Sequence, residues 1–314
     1  MPVAFTFPGQ GSQSVGMLSD LAAARSVVGE TFAEASEMLG YDLWALVSEG
    51  PAERLNETER TQPAMLAAGV AVWRAWHAAG GPAPAMVAGH SLGEYSALVC
   101  AGAMPFRDAV RAVAARGRFM QEAVPLGVGG IAALLGLDDA AVVEVCTAVS
   151  AELAPQHVSA VNFNAPGQVV VAGHAGAVDR VLEMARERGA RRAVRLPMSV
   201  PVHCVLMTPA VERLEEVLAT TDIRAPAVPV VHNADLESHD DPAAIRQALT
   251  RQLVRPVRWV ETVERLRARG ATALIEPGPG RTLTGLHRRI APDLEIASLH
   301  DEASLSAALE KLEG

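Results

Sequence analysis

The residues best placed to do chemistry lie between Met86 and Cys100, in the run MVAGHSLGEYSALVC. Ser91 stands between Gly89 and Gly93, giving G-x-S-x-G. The apolar run Ala85 to Ala88 reads as the end of a buried strand, and Glu94 to Cys100 as a helix. Strand, glycine-flanked turn and helix make a nucleophile elbow, with the serine hydroxyl at its tip beside the N–H of Leu92. The helix N-terminus adds positive partial charge where an oxyanion would form. Such a serine suits acyl transfer through an ester. The alternative is an ordinary strand-to-helix turn with an inert serine.

A serine hydroxyl needs a base, and histidine is the usual one near neutral pH. There are nine histidines. His90 adjoins Ser91, and neighbouring side chains on an elbow point apart. His203 follows Pro201 and precedes a helix start at Thr208-Pro209, and it lies downstream of Ser91 as the order in α/β-hydrolases requires. His232 is the next candidate, and no acidic residue stands out as a third member. An unperturbed imidazole titrates near about 6.5, so a rate that needs it neutral should fall below that pH.

Two further features bear on the same chemistry. Gly9-Gln10-Gly11-Ser12-Gln13-Ser14 lacks the third glycine of a dinucleotide fingerprint. Its other use is to bring a backbone N–H close to a reacting centre, which makes Gln10 a candidate second oxyanion donor. An ordinary glycine-rich loop fits the same residues. In the helix Phe106 to Ala123, Arg116 shares the apolar stripe of Ala109, Val113 and Met120, while Arg107, Arg111 and Arg118 lie on a solvated face. A guanidinium on such a stripe calls for an internal salt bridge, a snorkelling path or a ligand carboxylate. No H-E-x-x-H or paired Cys/His spacing occurs, so no metal is expected.

The elements that must position these residues follow from the pattern. Val3 to Phe7 is a first strand, and Leu18 to Leu39 and Leu43 to Val47 are helical. Thr61-Gln62-Pro63 opens a helix over Ala64 to Ala79. With the elbow, this is an α/β progression with a mainly parallel sheet. Strands at Ile131 to Leu137, Val158 to Phe163, Gln168 to Ala172 and Arg191 to Leu196, with helices at Asp138 to Val149 and Ala175 to Arg188, spell β-α-β-β-α-β. That is a ferredoxin-like small domain over 126–196, inserted into a catalytic domain made of 1–125 and 197–314. Thereafter Thr208 caps a helix over Ala210 to Leu218, and Val228 to His232 is a strand. Helices Pro242 to Leu253 and Trp259 to Arg269 and a strand Thr272 to Ile275 follow, before Glu276-Pro-Gly-Pro-Gly280 turns into a last long helix.

With 314 residues, 50% of them hydrophobic, the chain can bury a large core. A formal net charge of −9 argues against a nucleic-acid or membrane-surface binder. Three cysteines without framework spacing, no signal peptide and no long apolar span lead to the expectation of a cytoplasmic protein.

Taken together and in order, FPGQGSQSVGM, GHSLGEYSALVCAG, RGRFMQEAVP, NFNAPGQVVVAG, SVPVHCVLM, RQLVRPVRW and EPGPGRTLTGL resemble the bacterial malonyl-CoA:acyl carrier protein transacylases of type II fatty acid synthesis, essentially end to end. The resemblance implies an α/β-hydrolase-like core with the ferredoxin-like insertion. It implies Ser91 as nucleophile, His203 as base and Arg116 as a clamp on the malonyl carboxylate. The N–H groups of Gln10 and Leu92 would form the oxyanion hole, and a main-chain carbonyl at Gln252, not an acid, would orient the histidine. The implied acyltransferase moves malonyl from malonyl-CoA to the phosphopantetheine thiol of acyl carrier protein for fatty acid elongation. It would hold no permanent cofactor, dock its carrier transiently through charge, and act as a monomer. Arg186, Arg188, Arg191, Arg192 and Arg195 are the densest basic run and a candidate dock, though a solvated face would look the same. Val202 departs from relatives that often carry a small polar residue or Phe there, which bears on acyl selectivity. A serine hydrolase or thioesterase would use the same pair. A transacylase of polyketide synthesis or of a malonate decarboxylase would keep the chemistry and change the carrier.

Overall fold

A computed structural model describes residues 2–198 and 200–313; the outermost positions of the expected domain ranges, and Ser199 of the SVPVHC run, lie outside the described residues. Nine strands occur among them: β1 (Val3–Phe7), β2 (Met86–Gly89), β3 (Gly129–Leu135), β4 (Val158–Ala165), β5 (Gln168–His174), β6 (Arg192–Arg195), β7 (Val230–Val231), β8 (Ala273–Pro277) and β9 (Glu295–Leu299). They form two sheets.

The larger sheet has the order β7-β2-β1-β8-β9, and every neighbouring pair is parallel. β1, β2 and β8 are buried at every residue, as strands covered on both faces by helices must be. Their near-continuous apolar runs follow from that. Phe5 packs edge-on to Trp76 at 5.8 Å between ring centroids, joining the sheet to the long helix Thr58–Ala78.

The smaller sheet has the order β4-β5-β3-β6 and is antiparallel throughout. The helices Asp139–Glu152 and Ala175–Glu187 cover it, with Val142, Val145, Val169, Val171, Val178 and Val181 in its own apolar cluster. This is the expected βαββαβ unit. Asp138 caps the first of these helices, its side chain accepting from Ala141 N–H. A single parallel bridge from Asn162 to Val257 links this unit to the segment before the helix Trp259–Ala268.

Several boundaries differ from the sequence reading, each for a local reason. The stretch Leu18 to Leu39 breaks at Arg25, which is extended and whose Nε donates to Glu302 at 2.9 Å. The helix expected from Ala64 starts at Thr58, with Pro63 inside it. Pro63 is its sixth residue and gives up the bond that an N–H there would make to Glu59 O, while Thr61 Oγ1 ties the preceding turn by donating to Leu55 O and Glu57 O. Thr208 is the first residue of its helix, not the cap; its hydroxyl donates back to Val205 O at 2.6 Å. The last long helix is corrected to a helix Thr282–Ile290, the strand β9 and a helix Glu302–Glu313. Pro292 stops the first helix, and β9 then pairs with β8 residue for residue.

Candidate active site

Ser91 has φ of 52°, in the left-handed region, so the strain of the elbow sits on the serine itself. The flanking glycines answer a different need. A Cβ on Gly89 would lie 1.9 Å from Gly93 C, and one on Gly93 would lie 2.1 Å from Phe7 O. They let strand, turn and helix approach backbone to backbone. Ser91 N–H donates to Asn233 Oδ1 at 2.7 Å, and Asn233 Nδ2 donates to Gly89 O at 2.8 Å. Asn233, two residues past the end of β7, therefore pins both sides of the turn.

His203 reaches the serine across the fold: its Nε2 lies 2.7 Å from Ser91 Oγ. Its Nδ1 lies 2.7 Å from the Gln252 carbonyl oxygen. A carbonyl can only accept, so Nδ1 carries the proton and Nε2 offers a lone pair to the Ser91 hydroxyl. Burial first, and the nearby Arg116 second, push the His203 pKa down to about 3. His232, the other candidate, is elsewhere: it is fully buried, with Nδ1 2.7 Å from Glu94 Oε1.

Arg116 is 1% exposed, which removes the snorkelling alternative. Its partners are uncharged. Nη1 donates to Gln62 Oε1 at 2.8 Å, and Nη2 donates to Gln252 Oε1 at 2.9 Å and to Ser91 Oγ at 3.2 Å. Nε has no partner among the described residues. No direct carboxylate contact exists among them, so the internal salt bridge falls too. Burial lowers the Arg116 pKa, but a guanidinium stays charged at any working pH. A buried cation with spare donors beside a nucleophile is a receptor for an anion.

Neither Gln10 N–H nor Leu92 N–H has an acceptor among the described residues, and both residues line the cavity that holds Ser91, Arg116 and His203. That cavity has a volume of about 540 Å³. The elbow lines it together with Ile131, Asn162, Asn164 and Val170 of the smaller sheet. All six site residues expected from the sequence thus converge. The sequence reading missed the side chains of Gln62, Glu94, Gln252 and Asn233, which surround them. Gln62 read as a helix opener and Glu94 as an ordinary first-turn acid, while Asn233 carried no local signal.

Residues 4–298 match the acyl transferase domain family. A malonyl CoA-acyl carrier protein transacylase of Salmonella typhimurium is 58% identical over 98% of each chain, and one of Bacillus subtilis is 43% identical over 99% of this chain and 97% of its own. The chain belongs to this family of acyltransferases. Among solved structures, the transacylase of Coxiella burnetii superposes with a TM-score of 0.97 at 48% identity, covering 100% of this chain and 98% of that one. A malonyl-transacylase solved in complex with its type II PKS acyl-carrier protein gives a TM-score of 0.97 at 53% identity, covering 99% of this chain and 100% of that one.

Two of the five arginines of the candidate docking run on the small unit are paired within the chain. Arg188 pairs with Glu144 and Arg195 with Asp179, and Arg186 donates to Ala193 O.

Proposed function

We propose that this acyltransferase moves malonyl from malonyl-CoA to the phosphopantetheine thiol of an acyl carrier protein through a malonyl ester on Ser91, supplying fatty acid elongation. The observation that carries the reading is the buried Arg116 guanidinium, with no carboxylate in direct contact among the described residues and 3.2 Å from Ser91 Oγ. The name of the Salmonella relative and the carrier complex of the 53% identical structure support it.

In the first half-reaction, Ser91 Oγ gives its proton to His203 Nε2 and attacks the thioester carbonyl. The oxyanion is held by the N–H groups of Gln10 and Leu92. The C–S bond then breaks, and coenzyme A leaves with the proton from Nε2. In the second, the pantetheine thiol gives its proton to Nε2 and its sulfur attacks the ester. The C–O bond breaks, and Oγ recovers the proton. Each step has a residue of this chain to carry it, with no permanently bound cofactor. No described helix is long and apolar enough to cross a membrane, and we place the reaction in the cytoplasm with a transient carrier as partner. The single most direct test is intact mass after mixing with malonyl-CoA. One malonyl on Ser91 is expected; release of free malonate with no adduct and no carrier product would point to a hydrolase instead.

The carrier complex also favours a second reading, in which the carrier is that of a polyketide synthase. Comparing transfer rates to carriers of both kinds separates the two.

Arg116 should make the enzyme selective. A malonyl carboxylate can take two parallel hydrogen bonds from a guanidinium, which Lys cannot reproduce. It also offsets the positive charge of Arg116, which after burial is the second cause of the lowered His203 pKa, so the base strengthens when the right substrate is in place. Arg116→Ala should therefore lose roughly 30- to 5,000-fold in kcat/KM for malonyl-CoA, the worth of one side of a desolvated pair. Acetyl-CoA should be used as well as before or better, and Arg116→Lys should recover little. Equal losses on both substrates would end the clamp assignment.

The pH dependence differs from that of a free imidazole. The base works when neutral, so kcat/KM falls only as pH drops through the pKa of His203 in the free enzyme. With that pKa pushed down to about 3, kcat/KM for malonyl-CoA should be flat from about pH 5 to 8. A fall centred near 6.5 would mean that water reaches the imidazole.

A further inference from the structure

Glu94 is a carboxylate that the cycle above does not use. It is fully buried in the first turn of the helix Gly93–Cys100 and is absent from the cavity lining. Its Oε1 faces His232 Nδ1 at 2.7 Å, and its Oε2 accepts from Asn233 N–H at 2.9 Å and from Gln252 Nε2 at 2.8 Å. The Gln252 amide stands between groups of opposite hydrogen-bonding character. On one side Glu94 Oε2 and the Ser91 carbonyl, at 2.8 and 3.0 Å from Nε2, accept. On the other, the Arg116 guanidinium, 2.9 Å from Oε1, can only donate. Both amide hydrogens and the oxygen are used, and one orientation alone satisfies every partner. Flipped, the amide would aim its NH₂ at the guanidinium and its oxygen at a carboxylate.

Resting on the reading of Arg116 as a carboxylate clamp, we propose that Glu94 is a positioning residue for acyl selectivity: it fixes the polarity of the Gln252 amide and so holds Arg116 over Ser91. The substrates it favours are acyl thioesters that carry a second carboxylate. Acyl groups without one do not call on the clamp. Glu94 also touches Asn233, which holds the elbow, so a purely structural role would harm every substrate alike.

Glu94→Gln separates the two. It is nearly isosteric but uncharged: Asn233 N–H keeps an oxygen facing Gln252, and the charge-assisted hold on Gln252 Nε2, shared with the Ser91 carbonyl, is weakened to that of a neutral amide. Malonyl-CoA and acetyl-CoA loading of Ser91 would be followed by single-turnover mass spectrometry across substrate concentrations, with thermal melts alongside. Glu94→Gln should lower kcat/KM for malonyl-CoA by about 10-fold or more, mainly through KM, as expected for loss of one buried polar partner. Acetyl-CoA should change by less than about threefold. A double variant, Glu94→Gln with Gln252→Glu, guards against a folding defect because it keeps one carboxylate and one amide in contact. It places the carboxylate against Arg116 and should suppress malonyl loading further still. Equal losses on both substrates, or an unchanged malonyl-to-acetyl ratio in both variants, would overturn the proposal. A wild type that loads no malonyl would overturn the function reading and this inference with it; a wild type that loads malonyl, with variants of unchanged ratio, would overturn this inference alone.

Discussion

Ser91→Ala should leave no malonyl adduct and no carrier product, a loss of roughly 10⁴- to 10⁶-fold or more in transfer. Both half-reactions pass through the same oxygen, so neither survives its removal. The fold should persist. The N–H of residue 91 still reaches Asn233 Oδ1, its carbonyl still accepts from Gln252 Nε2, and only one hydroxyl is gone. Intact mass, a carrier-transfer assay and a thermal melt on the one variant test this. Full transfer by a well-folded Ser91→Ala protein would remove the ester intermediate and with it the whole cycle.

His203→Ala has the second largest expected effect, a slowing of acylation by roughly 10²- to 10⁴-fold, the usual worth of a positioned base. The residual rate comes from the oxyanion donors and from binding, which the substitution leaves alone. The same change should show in stability, because the Gln252 carbonyl loses its 2.7 Å partner inside the protein. Such a loss costs about 1–3 kcal/mol. Single-turnover loading should therefore slow with malonyl-CoA and acetyl-CoA alike, in contrast to Arg116→Ala. A loss confined to malonyl-CoA would assign His203 to binding rather than proton transfer.

The elbow was legible because everything it needs is local: a buried strand, two glycines and a helix within a few residues. The βαββαβ unit was legible too, since its strands alternate or run apolar and its second helix is stopped at Gly189. Arg116 announced itself by breaking an apolar stripe, but its partners could not be read. Gln62 and Gln252 meet it from other helices, and their amides look like ordinary polar residues in the chain. A main-chain carbonyl such as that of Gln252 is invisible by nature, because every residue has one; only the family resemblance pointed to it. β9 was lost for a different reason. As an edge strand it is only partly buried, so EIASL shows little period, and the signal present was Pro292 stopping the helix before it. The pH expectation shifts for a reason the sequence does not display: 6.5 is a solvated value, and His203 is 2% exposed with a cation nearby, which moves the expected fall to lower pH.

Ser91 and His203 share a backbone peculiarity, φ of 52° and 58° on residues that have side chains. The left-handed region costs an ordinary residue roughly 1–2 kcal/mol, and glycine would occupy it freely. Glycine carries no hydroxyl and no imidazole. The chain thus gives up thermodynamic stability at the two positions where a more comfortable residue would be inert, and the contacts from Asn233 and Gln252 keep both from relaxing. For anyone selecting this enzyme for heat resistance, these are the two places where a stabilising substitution and a dead catalyst would be the same mutation.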